Sequence, residues 1–158
     1  SLYNVDLGTI VESVCTGYEE AAQIKAQDFS LHRPEEPVLV FSTTDLLMQI
    51  ITNLVDNAVK YTPSGGSIMV RVQTEGPDVI FEVEDTGIGI APKHHIKVFE
   101  PFFSAIEGDD SYTGNGLGLH LVKSVVLRHG GKIIFKSVEG EGSTFGFRLP
   151  LAFLPKQD

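Results

Sequence analysis

Two asparagines lie one helical turn apart in a segment that otherwise has the pattern of an amphipathic helix. Asn53 and Asn57, together with Lys60 and Tyr61, fall on one stripe at about 100° per residue, beside an apolar stripe. Asparagine is a poor helix former, so a pair of them in a helix interior suggests a function other than helix stability. Amide oxygens are hard, neutral ligands that suit Mg²⁺, which binds few protein ligands together with waters and nucleotide phosphates. The stripe therefore indicates a magnesium and phosphate site, with a solvated polar face as the alternative.

A second polar group lies where an alternating strand ends in a glycine-rich turn. Asp85 ends this strand and is followed by Thr86-Gly87-Ile88-Gly89-Ile90. Glycine permits positive φ angles and lets a ligand approach the backbone closely. An aspartate carboxylate accepts a hydrogen from the exocyclic amine of adenine and repels the carbonyl oxygen of guanine. The segment indicates an adenine site, with a plain Asp-Gly turn as the alternative.

A third motif, Thr113-Gly114-Asn115-Gly116-Leu117-Gly118-Leu119, leads into a helix. The N-terminus of a helix presents free N–H groups and a positive partial charge, so it attracts phosphate. The motif differs from the Rossmann fingerprint, because Leu119 stands where the third glycine would be and no strand precedes it. The sequence also lacks a GxxxxGK[ST] P-loop.

The elements that position these groups can be predicted from hydrophobic periodicity. We predict helices at about 7–27, 42–62 and 117–129, and strands at 29–33, 38–41, 67–74, 78–85, 132–138 and 143–149. We expect Asp6 to cap the first helix and either Ser42 or Thr43 the second, since Ser42 and Asp45 resemble a capping box. Three helices and five or six strands predict one sheet with helices on one face.

Composition indicates one soluble domain. The chain has 158 residues, which suffice for a single buried core, and its net charge of −9 argues against non-specific binding to nucleic acid. Its single cysteine, Cys15, cannot form an intramolecular disulfide, and no apolar run approaches the length of a membrane span. We therefore expect a single cytoplasmic domain over residues 1–158, without direct membrane contact.

Taken in order, the motifs resemble those of the ATP-binding catalytic domain of sensor histidine kinases, within the superfamily shared with gyrase, Hsp90 and MutL. The matching segments are 53–62 (N box), 85–89 (G1 box), 99–103 (F box), 114–118 (G2 box) and 140–145, which is similar to the closing segment. The resemblance covers about residues 5–150. It implies the Bergerat fold, an α+β two-layer sandwich in which a mixed, mostly antiparallel sheet of about five strands packs on three helices. It also implies a flexible ATP lid at about 86–115.

The resemblance further implies roles for individual residues. Asn57 would bind Mg²⁺, Asn53 and Lys60 would act on the phosphates as catalytic residues, and Tyr61 would pack against the base. Asp85 would bind the adenine amine. The expected backbone contacts to nucleotide are Gly87, Gly89 and Ile90 at the base, and Gly114, Gly116, Leu117 and Gly118 at the triphosphate. Either Ser143 or Thr144 would contact the base through water, and Thr144 is counted among the expected nucleotide-binding residues.

Asn53 also suggests the type of reaction. Hydrolytic members of the superfamily have a glutamate at this position as general base for water, and an amide has no useful basicity. We therefore expect a histidine kinase that holds Mg-ATP and donates the γ-phosphate to a histidine on a separate phosphoacceptor domain, with a response regulator downstream. The alternatives are a non-catalytic module that senses ATP or ADP, an ATP-gated clamp of the gyrase class, and a serine kinase of the anti-sigma type.

The sequence departs from the kinase pattern in two places. Kinases of this family often carry Arg or Lys just after the F box, whereas here no Lys or Arg lies between Phe103 and Lys123. None of the five histidines (His32, His94, His95, His120 and His129) lies in the context of a phosphoacceptor histidine. We expect His94, His95, His120 and His129 at the surface, and the phosphoacceptor helices to be absent from this chain.

Overall fold

The computed structural model describes residues 1–103 and 118–152. The elements in chain order are β1 (Tyr3–Asp6), α1 (Leu7–Ile24), β2 (Asp28–His32), β3 (Leu39–Ser42), α2 (Thr44–Tyr61), β4 (Ser67–Glu75), β5 (Asp78–Asp85), a 3₁₀ helix (Pro92–Lys97), α3 (Gly118–Arg128), β6 (Lys132–Val138) and β7 (Gly142–Pro150). Every predicted helix and strand is present, with small differences at the ends. None of the helices in these two ranges is long and apolar enough to cross a membrane.

Five strands form one mixed sheet in the order β2-β4-β5-β7-β6. β2 runs parallel to β4, and the other three pairs are antiparallel, which confirms the predicted mostly antiparallel sheet. β1 and β3 form a separate antiparallel pair, which the sequence did not predict. The four residues of β1 are too few to show an alternating pattern, so only pairing with β3 defines this strand.

The core lies between the sheet and the three helices. Alternate residues of the central strands point towards it, among them Phe81 and Phe147, which are fully buried with ring centroids 5.1 Å apart. The opposite face of the sheet is polar, and on it Arg71 forms ion pairs with Glu82 and Glu84. One covered and one solvated face make the two-layer sandwich that was expected.

Helix α2, which carries the asparagine stripe, is fixed at both ends. At its N-terminus the Thr43 hydroxyl accepts a hydrogen bond from the Leu46 amide at 3.1 Å. Ser42, the other candidate for the cap, is the last residue of β3, and its buried hydroxyl lies 2.7 Å from Nε2 of His129, so the capping-box prediction is wrong. At the C-terminus, the Gln27 side chain donates to the carbonyl oxygens of Val59 and Thr62.

Candidate functional site

The two asparagines of α2 lie one turn apart on the helix, and one of them contacts the start of α3. Asn57 is only 8% exposed, and its side chain makes no hydrogen bond within the described residues. Asn53 donates through Nδ2 to the carbonyl oxygen of Gly118 at 3.4 Å. The N box therefore contacts the first residue of α3.

Lys60 has a partner that the sequence analysis did not anticipate. Its Nζ lies 2.9 Å from Oδ2 of Asp56, and its side chain is 47% exposed. The other oxygen of Asp56, Oδ1, accepts a hydrogen bond from the Tyr18 hydroxyl of α1 at 2.9 Å. The Asp56 carboxylate therefore offsets part of the positive charge that Lys60 offers to a phosphate.

Asp85, the last residue of β5, has one carboxylate oxygen engaged. Oδ1 accepts hydrogen bonds from the amides of Gly87 at 2.8 Å and Ser143 at 3.1 Å, whereas Oδ2 has no partner within the described residues. Burial raises the pKa of Asp85 to about 6, and the two amide hydrogen bonds oppose that rise. The arrangement holds an oriented acceptor ready for a ligand that offers a hydrogen.

The glycines after Asp85 are required by close backbone contacts. A Cβ atom at Gly87 would lie 2.6 Å from the carbonyl oxygen of Tyr61, and one at Gly89, where φ is +66°, would overlap the carbonyl oxygen of Val138. The Ile88 amide donates to the carbonyl oxygen of Tyr61 at 3.3 Å. Residues 86–90, which the resemblance places in the lid, are thus hydrogen-bonded to the core and form a wall between α2 and the β6–β7 hairpin.

Ile90 is held by two side chains that the sequence analysis missed. Its amide donates to the hydroxyl of Ser137 at 2.7 Å, and its carbonyl oxygen lies 2.7 Å from Nε2 of His95. His95 is half-buried, with its ring edge-on to Phe135, so the prediction of an exposed His95 is wrong. The sequence did hold a signal for Ser137. The alternation of side chains along the predicted β6–β7 hairpin places Ser137 opposite Ser143, and therefore beside the site.

Strand register decides between Ser143 and Thr144. Ser143 pairs with Asp85, and its side chain therefore lies on the same face of the sheet as the Asp85 carboxylate. Thr144 pairs with Glu84, on the opposite face. Alternate residues of a strand point to opposite faces, so the register favours Ser143 over Thr144 as the residue that shares the face of Asp85.

The remaining motif residues lie around this wall or outside the described ranges. Gly118 begins α3, whereas Gly114, Gly116 and Leu117 lie outside the described residues. In the F box, the Phe99 ring packs edge-on against Phe135 and Phe145, with centroids 5.8 and 6.0 Å away. Phe102 is exposed.

The donor set fits a magnesium ion that is bound largely by phosphate and water. Within the described residues, no group of three or more His, Cys, Asp or Glu side chains could hold a metal. Asn57 offers a nearly buried amide that has no protein partner there. Such a single neutral oxygen ligand is consistent with Mg²⁺ that arrives with a nucleotide.

Comparison with known proteins identifies the family. The family described as "Histidine kinase-, DNA gyrase B-, and HSP90-like ATPase" matches residues 42–153. Hybrid signal transduction histidine kinase D of Dictyostelium discoideum is 36% identical over 154 residues, which cover 93% of this chain and 10% of that protein. Sensor-like histidine kinase SenX3 of Mycobacterium tuberculosis is 35% identical over 151 residues, which cover 95% of this chain and 37% of that protein. The chain thus spans a small part of the length of these relatives.

Solved structures agree with these relatives. The catalytic domain of histidine kinase ThkA has a TM-score of 0.81 at 27% identity, with 95% of each chain covered. Full-length ShkA in complex with AMPPNP has a TM-score of 0.83 at 29% identity, with 99% of this chain and 32% of that chain covered. The chain belongs to the histidine kinase-, DNA gyrase B- and HSP90-like ATPase family, in which it is an ATP-binding catalytic domain of the sensor histidine kinase type.

Proposed function

We propose that this domain binds Mg-ATP between α2, the Asp85 turn and the start of α3, and donates the γ-phosphate to a histidine on a separate phosphoacceptor domain. The observation that carries the proposal is the hydrogen bond from the Ile88 amide to the Tyr61 carbonyl oxygen. This bond joins the turn that begins at Asp85 to the end of the helix that carries Asn53 and Asn57. A base-binding carboxylate and a phosphate-binding amide stripe thus line one site.

Each group has a distinct role in the proposed complex. Oδ2 of Asp85 would accept a hydrogen from the 6-amino group of adenine, with Gly87, Gly89 and Ile90 forming the wall of the base pocket. Asn57 would hold Mg²⁺, which when bound neutralises phosphate charge during transfer. Tyr61 would pack against the base.

The phosphate end of the site favours transfer over hydrolysis. Asn53 directs its Nδ2 to the Gly118 carbonyl oxygen and has no basic atom to activate water. Lys60 would exchange its Asp56 partner for phosphate. The backbone at Gly118, together with Gly114, Gly116 and Leu117, would complete the phosphate contacts at the N-terminus of α3.

The partners follow from the relatives. One solved structure is that of histidine kinase ThkA in complex with response regulator protein TrrA, and it resembles this domain with a TM-score of 0.78 at 25% identity. By analogy, this domain would act on the phosphoacceptor domain of its parent kinase, and a response regulator would take the phosphate onward in the cytoplasm. The exposed Ile96, just before the F box, and the exposed Phe102, within it, would offer apolar surface for the phosphoacceptor domain.

Phosphotransfer in trans tests the proposal. The domain is mixed with the phosphoacceptor domain of its parent and γ-labelled ATP, and acid-labile phosphohistidine is measured. We expect label on the acceptor with the wild-type domain and with the Asn4→Ala control on exposed β1, and at least about tenfold less with Asn57→Ala. An acceptor that stays unlabelled with wild-type domain, although ATP binds, would contradict transfer.

A non-catalytic module that senses ATP or ADP is the second candidate. It is favoured by the segment between Phe103 and Lys123, which carries Glu107, Asp109 and Asp110 but no Lys or Arg. If a missing cation limits transfer, Ser104→Arg should raise the rate of acceptor labelling. A domain that binds ATP but stays silent with and without this change would support the sensing function.

A further inference from the structure

Ser137 of β6 is the junction of the hydrogen bonds around the base pocket. Its hydroxyl accepts the Ile90 amide at 2.7 Å, lies 2.8 Å from the Ser143 hydroxyl, and donates to the Gly142 carbonyl oxygen at 3.2 Å. Through Ser143, whose amide donates to Asp85, the junction reaches the carboxylate that is proposed to bind adenine. One side chain therefore joins the glycine-rich turn, the β6–β7 hairpin and the acceptor.

Counting hydrogens assigns the direction of these bonds. A serine hydroxyl has one hydrogen to donate and two lone pairs to accept with. The Gly142 carbonyl oxygen can only accept, so in the arrangement that satisfies every one of these bonds the Ser137 hydrogen points to it. The Ile90 amide takes one lone pair of Ser137, and the Ser143 hydroxyl can satisfy the other only by donating its own hydrogen. In this fully satisfied arrangement Ser143 has no hydrogen left for a ligand.

We infer that Ser137 is a positioning residue for base selection, which fixes the Ser143 oxygen as an acceptor beside Oδ2 of Asp85. This inference rests on the proposed binding of adenine nucleotide at the site. Two acceptors side by side suit an amino group, which has two hydrogens, and oppose a carbonyl oxygen. Without the Ser137 hydroxyl, the Ser143 hydrogen is free to turn into the pocket, where it can bond a carbonyl oxygen at the same place on the base.

The test compares ADP with inosine diphosphate (IDP), whose base carries a carbonyl oxygen at position 6 and a hydrogen on N1. Calorimetry gives both dissociation constants, and the readout is the ratio of Kd for IDP to Kd for ADP. We expect Ser137→Ala to lower this ratio about tenfold, the size expected when a mismatched buried polar contact is relieved. If the substitution merely loosened the wall of the pocket, it would weaken the binding of both nucleotides alike and leave the ratio unchanged.

Two further variants separate the causes. Ser30→Ala, a half-buried serine of β2 distant from the pocket in the sheet order, should keep the wild-type ratio. Ser143→Ala should also lower the ratio, and adding Ser137→Ala to it should change the ratio no further, because Ser137 acts through Ser143.

The outcomes are distinguishable. The inference is overturned if Ser137→Ala leaves the ratio of Kd for IDP to Kd for ADP unchanged. It is also overturned if Ser137→Ala lowers this ratio as much in the Ser143→Ala background as in the wild type. In both cases ADP binding by the wild-type protein still upholds the proposed site. Wild-type protein that binds neither nucleotide overturns the proposed function and this inference with it.

Discussion

Oδ1 of Asp85 accepts the amide hydrogen of Ser143 at 3.1 Å, so the carboxylate that ends β5 also fixes the start of β7. The Gly87 amide binds the same oxygen at 2.8 Å. Two backbone donors from different parts of the chain therefore orient this side chain before any ligand arrives. A preoriented acceptor loses less conformational freedom when it binds a base, which favours affinity and selectivity.

Asp85→Asn should separate binding from folding. The amide oxygen of Asn can keep the bonds to Gly87 and Ser143, but its NH₂ group faces the adenine amine with hydrogens of its own. We expect ADP affinity to fall by about a hundredfold, as for loss of a hydrogen bond to a charged group combined with a donor clash. Calorimetry measures the affinity, and circular dichroism verifies the fold; unchanged ADP affinity in a folded variant would remove Asp85 from the site.

The titration of Asp85 predicts opposite pH effects on binding and stability. Burial raises its pKa in the folded protein to about 6 from the ordinary value of 3.8, so as the pH falls the folded protein takes up this proton before the unfolded chain does. ADP binding, which needs the carboxylate, should weaken as pH falls through about 6. Over the same range, down to about 4, folded stability gains from protonation, since the charged form is the costly one.

Asp85→Asn is the control for this titration. The variant has no proton to take up at this position, so its ADP affinity should not show the fall near pH 6 that is expected for the wild type. Thermal denaturation should show the variant more stable than wild type at pH 7, with the difference shrinking towards pH 4. A difference that stays constant between these pH values would place the Asp85 pKa outside this window.

Asn57→Ala tests the magnesium ligand. The amide is nearly buried and has no hydrogen-bond partner within the described residues, so its removal costs little folding stability. AMP-PNP binding by the wild type should tighten with Mg²⁺, and we expect the variant to lose this dependence. The Asn4→Ala control should keep it. Magnesium dependence that persists in Asn57→Ala would move the metal site elsewhere.

Asp56→Asn should strengthen triphosphate binding by freeing Lys60 from its ion pair. Because the pair is partly exposed, we expect a gain of about two- to fivefold, in line with the modest worth of such pairs. Adenosine, which has no phosphate, should bind equally to both proteins. In a Lys60→Met background the gain in triphosphate affinity should vanish. An equal gain there would show that the Asp56 carboxylate weakens triphosphate binding by direct repulsion and not through its pairing with Lys60.

The sequence predicted those features that depend on local pattern. Hydrophobic periodicity placed α2 and β5, and the glycine-rich run after Asp85 marked the turn that follows β5, because short motifs fix local backbone. It could not predict contacts made across the fold. The pairing of β5 with β7 decides that Ser143, not Thr144, faces Asp85, and the packing of α1 on α2 brings Tyr18 to Asp56.

A local backbone strain gives a separate test of the fold. Ala26, just after α1, has φ of +54°, and the amide of Gln27 donates to the Ala22 carbonyl oxygen in a glycine-favouring helix end. Ala26→Gly should raise the free energy of unfolding in urea by about 0.5–1 kcal/mol, since glycine adopts this conformation without strain. Ala21→Gly within α1 should lower it by about 1 kcal/mol. Equal destabilisation by both would contradict the strained conformation.

Calorimetric titration with AMP-PNP, with and without Mg²⁺ and with a GTP analogue as the control nucleotide, tests the central claim most directly. We predict that the adenine nucleotide binds, that Mg²⁺ tightens its binding, and that the guanine nucleotide does not bind over the same concentration range. Absence of AMP-PNP binding at millimolar concentration, or equal binding of both nucleotides, would contradict an ATP site built on Asp85 and Asn57.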